Sequence, residues 1–330
     1  MSGGKYYTMY RKILQVAWKR TKERRHLWIF GFFAALLSTG GVADLTMQSL
    51  QQIRSSGRWL QQAFSGVFFN LETWTTYVRQ LSFLEPTRVT LTLTAVILAL
   101  LALVSLAVIS QGALVYALTK RKSYSLKRAI RESARHFWSI LGLNLVTKAA
   151  QFVLVLTTAL PTVLFFARGS LFDAFLTFLI FLILFPATIA LHIVSMIALV
   201  DIVRLEHSLP DAIHHAAKLF KKHWLVTLEL GLIIFFIAFG AGALLIATLI
   251  MLAIPYTAVS LLTFYTTPIL VTLLQALTIA VLGAVIIIFT GGLTTFQYAC
   301  WVRWFERSTH GSTKDKVMAK LERWWRQAWS

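Results

Sequence analysis

Lys148 and Glu229 stand inside stretches that are otherwise apolar, and Asp201 stands at the inner edge of another. A charge near the middle of a bilayer costs about 3 kcal/mol on insertion scales, so such residues pair, line a polar path or carry protons and ions. Measured as helix rise from the start of their stretches, Lys148 lies about 15 Å in and Glu229 about 7 Å in. A lysine side chain can make up most of that difference by snorkelling. The chemistry on offer is an ion pair between two spans, with Asp201 as an alternative partner for Lys148, or a polar step on a transport route. A structural ion pair or simple snorkelling, in preference to a transport site, is the expectation for Lys148, Glu229 and Asp201.

His207, Asp211 and His215 fall at i, i+4 and i+8, with His214 and His223 nearby, which invites comparison with a metal site. Asp211 has another role, however, as the carboxylate of an S-x-x-D start signal. His207 precedes the cap, and three donors along two turns do not converge on a tetrahedral ion without a partner helix. No metal is expected. His192, alone in a span, suits a hydrogen bond to a neighbouring helix. The chain has no nucleotide-binding loop, no H-E-x-x-H, no nucleophile elbow and no paired aspartates in adjacent spans. No catalytic residue and no cofactor are therefore expected, and an enzyme is disfavoured.

The elements that must hold these residues follow from hydropathy. Leu230 to Val302 contains no Asp, Glu, Lys or Arg, and the whole chain is 57% hydrophobic and 14% charged, with mean hydropathy +0.69. Hydrocarbon is the natural solvent for such a sequence, and within it the backbone must be helical. The expected architecture is all-α, an integral membrane helical bundle forming a single membrane domain. Six transmembrane helices are expected, over about 27–45, 89–118, 138–167, 174–202, 224–252 and 270–301. The net charge of +19 is concentrated beside these spans, which points to anionic lipid headgroups and away from nucleic acid. The single cysteine, Cys300, excludes an internal disulfide.

Lysine and arginine set the orientation. They number eight in 1–26, seven in 119–136, four in 203–223 and seven from Arg303 onward. The intervening loops hold few. Positive-inside orientation places every rich segment in the cytoplasm only if the number of spans is even. Six spans put both termini inside, in a multi-pass protein of the plasma membrane. The charge-free run then becomes two spans and a turn near Pro255 and Pro268, not three spans. Gly41-Val42-Ala43 has the shape of a signal-peptidase site, but the long basic segment before it favours an uncleaved first span.

A pattern recurs after the second and fourth spans. Ser125, Leu126, Ala129, Ile130, Ala134 and Phe137 are matched 83 residues later by Ser208, Leu209, Ala212, Ile213, Ala217 and Phe220. Leu126, Ile130, Ala134 and Phe137 form a helical stripe, and so do their counterparts. Ser208, Pro210 and Asp211 give the second copy a capping box and a favourable first turn. With the basic helix expected over 1–26, the chain reads as a helix–span–span internal repeat. An amphipathic tail at 306–330 closes it. These are amphipathic cytoplasmic interface helices, and Trp138, Trp224, Trp324, Trp325 and Trp329 suit membrane-interface anchoring. The segment 48–86 has a similar stripe without the charge and is expected on the outer leaflet. Gly240 and Gly242, like Gly291 and Gly292, mark sites of close helix approach or flexible backbone.

Ala198 to Val203, then Ser208-Leu209, Ala212-Ile213 and Lys218 to Trp224, together with Gly112 to Ala117, resemble a family of uncharacterised bacterial and archaeal polytopic membrane proteins. That family is related to the membrane domain fused to some glycerophosphodiester phosphodiesterases. The resemblance implies a membrane bundle. It carries over no catalytic residue. The function expected is non-enzymatic: binding lipid or organising partners through the basic interface helices, against the bilayer and its anionic headgroups on the cytoplasmic side. The alternative is a transporter or lipid-handling permease with Lys148, Glu229 and Asp201 between its spans.

Overall fold

The structure, a computed structural model, describes residues 4–38, 86–120, 125–168, 170–263 and 268–309. These are helical throughout, apart from short connections: α1 (Gly4–Glu23), α2 (Leu27–Ser38), α3 (Pro86–Thr119), α4 (Leu126–Arg135), α5 (Phe137–Arg168), α6 (Leu171–Leu205), α7 (Leu209–Lys222), α8 (Trp224–Thr263) and α9 (Pro268–Thr309). Five of them, α3, α5, α6, α8 and α9, are long and apolar enough to cross a membrane, and α2 is a shorter apolar helix. Their apolar faces are exposed over most of their length, as lipid-facing surfaces are. This is a membrane-embedded helical bundle. The expected first span runs past residue 38, and the outer segment up to residue 85 and the tail from residue 310 also lie outside the described residues.

The charge-free run forms two helices, α8 and α9. Both are longer than expected: α8 has 40 residues and α9 has 42, roughly 60 Å each against the 30 Å of a hydrocarbon core. The last turns of α9 are the hub of the bundle, and α9 touches α1, α2, α3, α6 and α8. Tyr298, Ala299, Cys300, Val302, Trp304 and Phe305 are all buried there. A helix apolar on every face can be surrounded in this way.

Close approach is built from glycine. A Cβ added at Gly291 would run into the backbone carbonyl of Trp28, and one at Gly31 into the carbonyl of Gly291, so α2 and α9 cross backbone to backbone. At Gly112 on α3 a Cβ would strike Ser133 of α4, whose hydroxyl donates to the carbonyl of Ile109 at 2.7 Å. Gly240 and Gly242 behave differently. No atom of another element lies within 4 Å of the place where a Cβ would go, so they are not the packing sites that their spacing suggested.

Arginines of α1 close the C-terminal end of α3. Arg20 donates to the carbonyl of Leu118 at 2.9 Å, and Arg24 to those of Ala117 and Lys120 at 2.6 and 3.0 Å. Cations belong at this end of a helix, where carbonyls lack intrahelical partners. Glu306 of α9 joins the same layer, bonded to Arg303 at 2.8 Å and 3.8 Å from Arg20. The basic residues thus gather at one end of the bundle.

The two short helices bury small residues at corresponding positions, and in α7 the stripe residues Leu209, Ile213 and Phe220 also pack against the core. In α4 the protein covers Ala129 and Ser133, while Leu126 and Ile130 are 43% and 41% exposed. In α7 it covers the corresponding Ala212 and Ala216, with Leu219. Small side chains face the bundle because the backbones approach closely. The two helices also differ in length. Phe137 opens α5, whereas Phe220 still lies within α7, so the second elbow comes one turn later, at His223.

Candidate functional site

The elbow between α6 and α7 concentrates chemistry. Helix α6 ends at Leu205, and Glu206 adopts a left-handed conformation at φ 57°, the one non-glycine positive φ among the described residues. A side chain with a Cβ loses about 1–2 kcal/mol in that region. The turn folds the chain back on itself, and His207 Nδ1 comes within 3.0 Å of Asp201 Oδ2, one helical turn inside α6. Ser208 then occupies the N-cap of α7. Its hydroxyl bonds the Asp211 carboxylate at 2.5 Å instead of a backbone amide, so the expected cap is a side-chain pair. Asp211 sits beside the positive end of the helix.

From α7, His215 Nδ1 reaches the same Asp201 oxygen at 3.1 Å. The two imidazole rings meet edge to face, with centroids 5.8 Å apart. Asp201 is fully buried and its other oxygen, Oδ1, has no hydrogen-bond partner. One ligand atom from each of Asp201, His207 and His215 lies within 4.8 Å of the others. Arg204, a residue before the end of α6, stacks over the Phe305 ring at 5.7 Å and ties the elbow to α9. The set Asp201, His207 and His215 differs from the His207, Asp211 and His215 spacing seen in sequence, and its donors do not share one helix. His207 is off the helix, Asp201 comes from the preceding one, and Asp211 is not involved.

Lys148 is elsewhere, in the interior between α3, α5, α6 and α9. Asn144 donates to Gln111 Oε1 at 2.8 Å and Thr147 to Ser195 Oγ at 3.0 Å. With Lys148, Gln151, His192 and Tyr298 they border a cavity of about 30 Å³, room for a water or two. Glu229 is in a third place. Tyr10 of α1 donates to Glu229 Oε2 at 2.6 Å, and burial, then the bond to Glu229 and its charge, push the phenol above its ordinary range.

The three charged residues singled out from sequence therefore belong to three clusters. No ion pair among the described residues joins Lys148 to Glu229 or to Asp201. Trp138 and Trp224 are exposed at the starts of α5 and α8, 79% and 54% respectively, which suits interface anchoring. Trp324, Trp325 and Trp329 lie outside the described residues. The interior amides Gln111, Asn144 and Gln151 were not among the residues that charge singles out. A signal was present: Asn144, Thr147, Lys148 and Gln151 fall at i, i+3, i+4 and i+7, a polar stripe on an apolar helix.

No family model, curated protein or solved structure matches this chain.

Proposed function

We propose that the protein is a non-enzymatic, six-span protein of the plasma membrane with both termini cytoplasmic, which binds anionic lipid headgroups through the elbow helices at its basic end. In this reading α1, α4 and α7 are amphipathic interface helices, each opening a helix–span–span unit. The likeness to the membrane domain fused to some glycerophosphodiester phosphodiesterases is one of membrane architecture. One observation carries the proposal. Helix α4 buries only Ala129 and Ser133 against the bundle, leaves Leu126 and Ile130 uncovered, and exposes Lys127, Arg128, Arg131 and Arg135. An uncovered apolar edge flanked by cations is the pattern of a helix lying in a headgroup layer. Trp138, directly after the elbow, adds an aromatic anchor at the same level.

The permease alternative would rest on the cavity beside Lys148. That cavity accommodates water only, and Glu229 and Asp201 are not on its wall. Headgroup binding is the reading adopted.

The test uses the full chain in detergent, offered phosphatidylcholine or phosphatidylglycerol, with bound lipid counted by native mass spectrometry. The expected result is preferential retention of the anionic lipid. Replacing Lys127, Arg128, Arg131 and Arg135 by Gln should lower it tenfold or more, since each such cation near a surface is worth about 1 kcal/mol. Equal retention of the two lipids by the unaltered chain, or no change on neutralising α4, overturns the proposal.

A further inference from the structure

We propose that Asp201, His207 and His215 form a binding site for one divalent transition-metal ion of the zinc type, which clips the elbow between α6 and α7. The donors are two imidazole nitrogens and a carboxylate oxygen, a set that suits zinc and its neighbours and not calcium or magnesium, which take all-oxygen shells. The donor atoms come from three separately placed pieces of chain: the end of α6, the connection, and the second turn of α7. The two Asp–His separations of 3.0 and 3.1 Å are close to the ~3.3 Å edge of a tetrahedron with ligands about 2.0 Å from its centre. The ion would sit between the three atoms and replace the two hydrogen bonds.

Hydrogen bonding alone leaves the convergence of both imidazoles on one oxygen unexplained. Both imidazoles converge on Oδ2, while the buried Oδ1 has no partner. A carboxylate serving only as an acceptor would spread two donors over its two oxygens, because a buried oxygen without a partner is costly. Convergence on one point is what a shared ligand requires. The left-handed Glu206 is a second sign, since backbone strain of this kind persists where the surrounding structure enforces it and concentrates at ligand clamps. His207 and His215 side chains are 42% and 36% exposed, so the ion is reachable from outside the bundle. By joining the last turn of one span to the helix leading into the next, the ion would fix the angle between them.

The experiment measures Zn²⁺ binding to the full-length protein in detergent by competition with a chromophoric chelator, with Co²⁺ absorption and thermal unfolding as further readouts. One Zn²⁺ per chain is expected. His207→Gln and His215→Gln should each weaken it on the order of 100-fold or more, because even loss of an outer partner costs 10–100-fold. His214→Gln, on an exposed neighbour, should bind as the unaltered chain does. Zn²⁺ should raise Tm in the unaltered chain and in His214→Gln only. Absence of binding, or unchanged binding when His207 and His215 are both replaced, overturns the proposal. If those variants fail to fold, the unaltered chain decides: Co²⁺ should give the intense visible bands of a four-coordinate ion, and a pale six-coordinate spectrum overturns it.

Discussion

At the basic end of the bundle, side chains are packed and several polar groups bond across helices; over the far halves of the spans, large apolar residues point outward. Leu230 and Ile234 are buried near the start of α8, whereas Phe235, Phe236 and Phe239 beside and beyond them are exposed, Phe236 by 62%. On α3 the exposed residues run from Leu91 to Leu106, and burial begins at Ala107. The difference follows from the solvent. Lipid chains are as apolar as Phe or Leu, so burying those side chains against another helix gains little. Helices associate where small residues let backbones meet and where polar groups find partners. Both conditions are met at the basic end: Gly31 against Gly291, and Arg20 and Arg24 on the carbonyls of α3 and the residue after it.

The largest test of that contrast exchanges glycine for leucine at each end. Gly291→Leu should destabilise by about 3 kcal/mol or more, because its side chain meets the backbone of Trp28 and no flexible neighbour can yield. Gly240→Leu, with open space around it, should leave Tm in detergent unchanged or raise it slightly through helix propensity. Equal losses would break the contrast. A smaller effect is expected from Leu230→Ala, roughly 2–3 kcal/mol for a fully buried site. Phe236→Ala should stay within about 0.5 kcal/mol, and the same unfolding measurement compares the two.

The smallest effect concerns the link from α1 to α8. Tyr10→Phe removes one hydrogen bond to a carboxylate at a partly exposed position, a loss of about 1 kcal/mol. Its pH dependence has a definite sign. A phenol whose pKa is raised in the folded protein contributes fully below its unfolded value near 10, and that contribution disappears as pH rises through the folded value. The stability difference between the unaltered chain and Tyr10→Phe should be constant across neutral pH and shrink above about pH 10. A difference that grows in alkali would contradict the Tyr10–Glu229 bond.

Much of the fold was legible. Charge-free length gives helices, since backbone in hydrocarbon has no other way to satisfy its polar groups, and the last apolar run forms two of them. The sites were less legible. Lys148, Glu229 and Asp201 stand out because isolated charges are conspicuous against apolar sequence, but nothing along the chain says which of them meet. Gly240 and Gly291 look alike in sequence, and only one has a neighbouring backbone. Leu126 and Ile130 form the obvious stripe of α4, yet Ala129 and Ser133 are the residues that the bundle covers, because close backbone approach selects small side chains over apolar ones.

The sequence by itself determined that this chain is a helical membrane protein, where its long helices begin, and that its cations gather beside them. Those properties depend on transfer between water and hydrocarbon, which acts residue by residue. Tertiary structure alone decided that Asp201 meets His207 and His215, that Lys148 faces amides and a water-sized cavity, and that Glu229 holds Tyr10. Each of these depends on the turn at Glu206 or on a helix crossing, and such geometry is set by contacts between residues far apart in the chain.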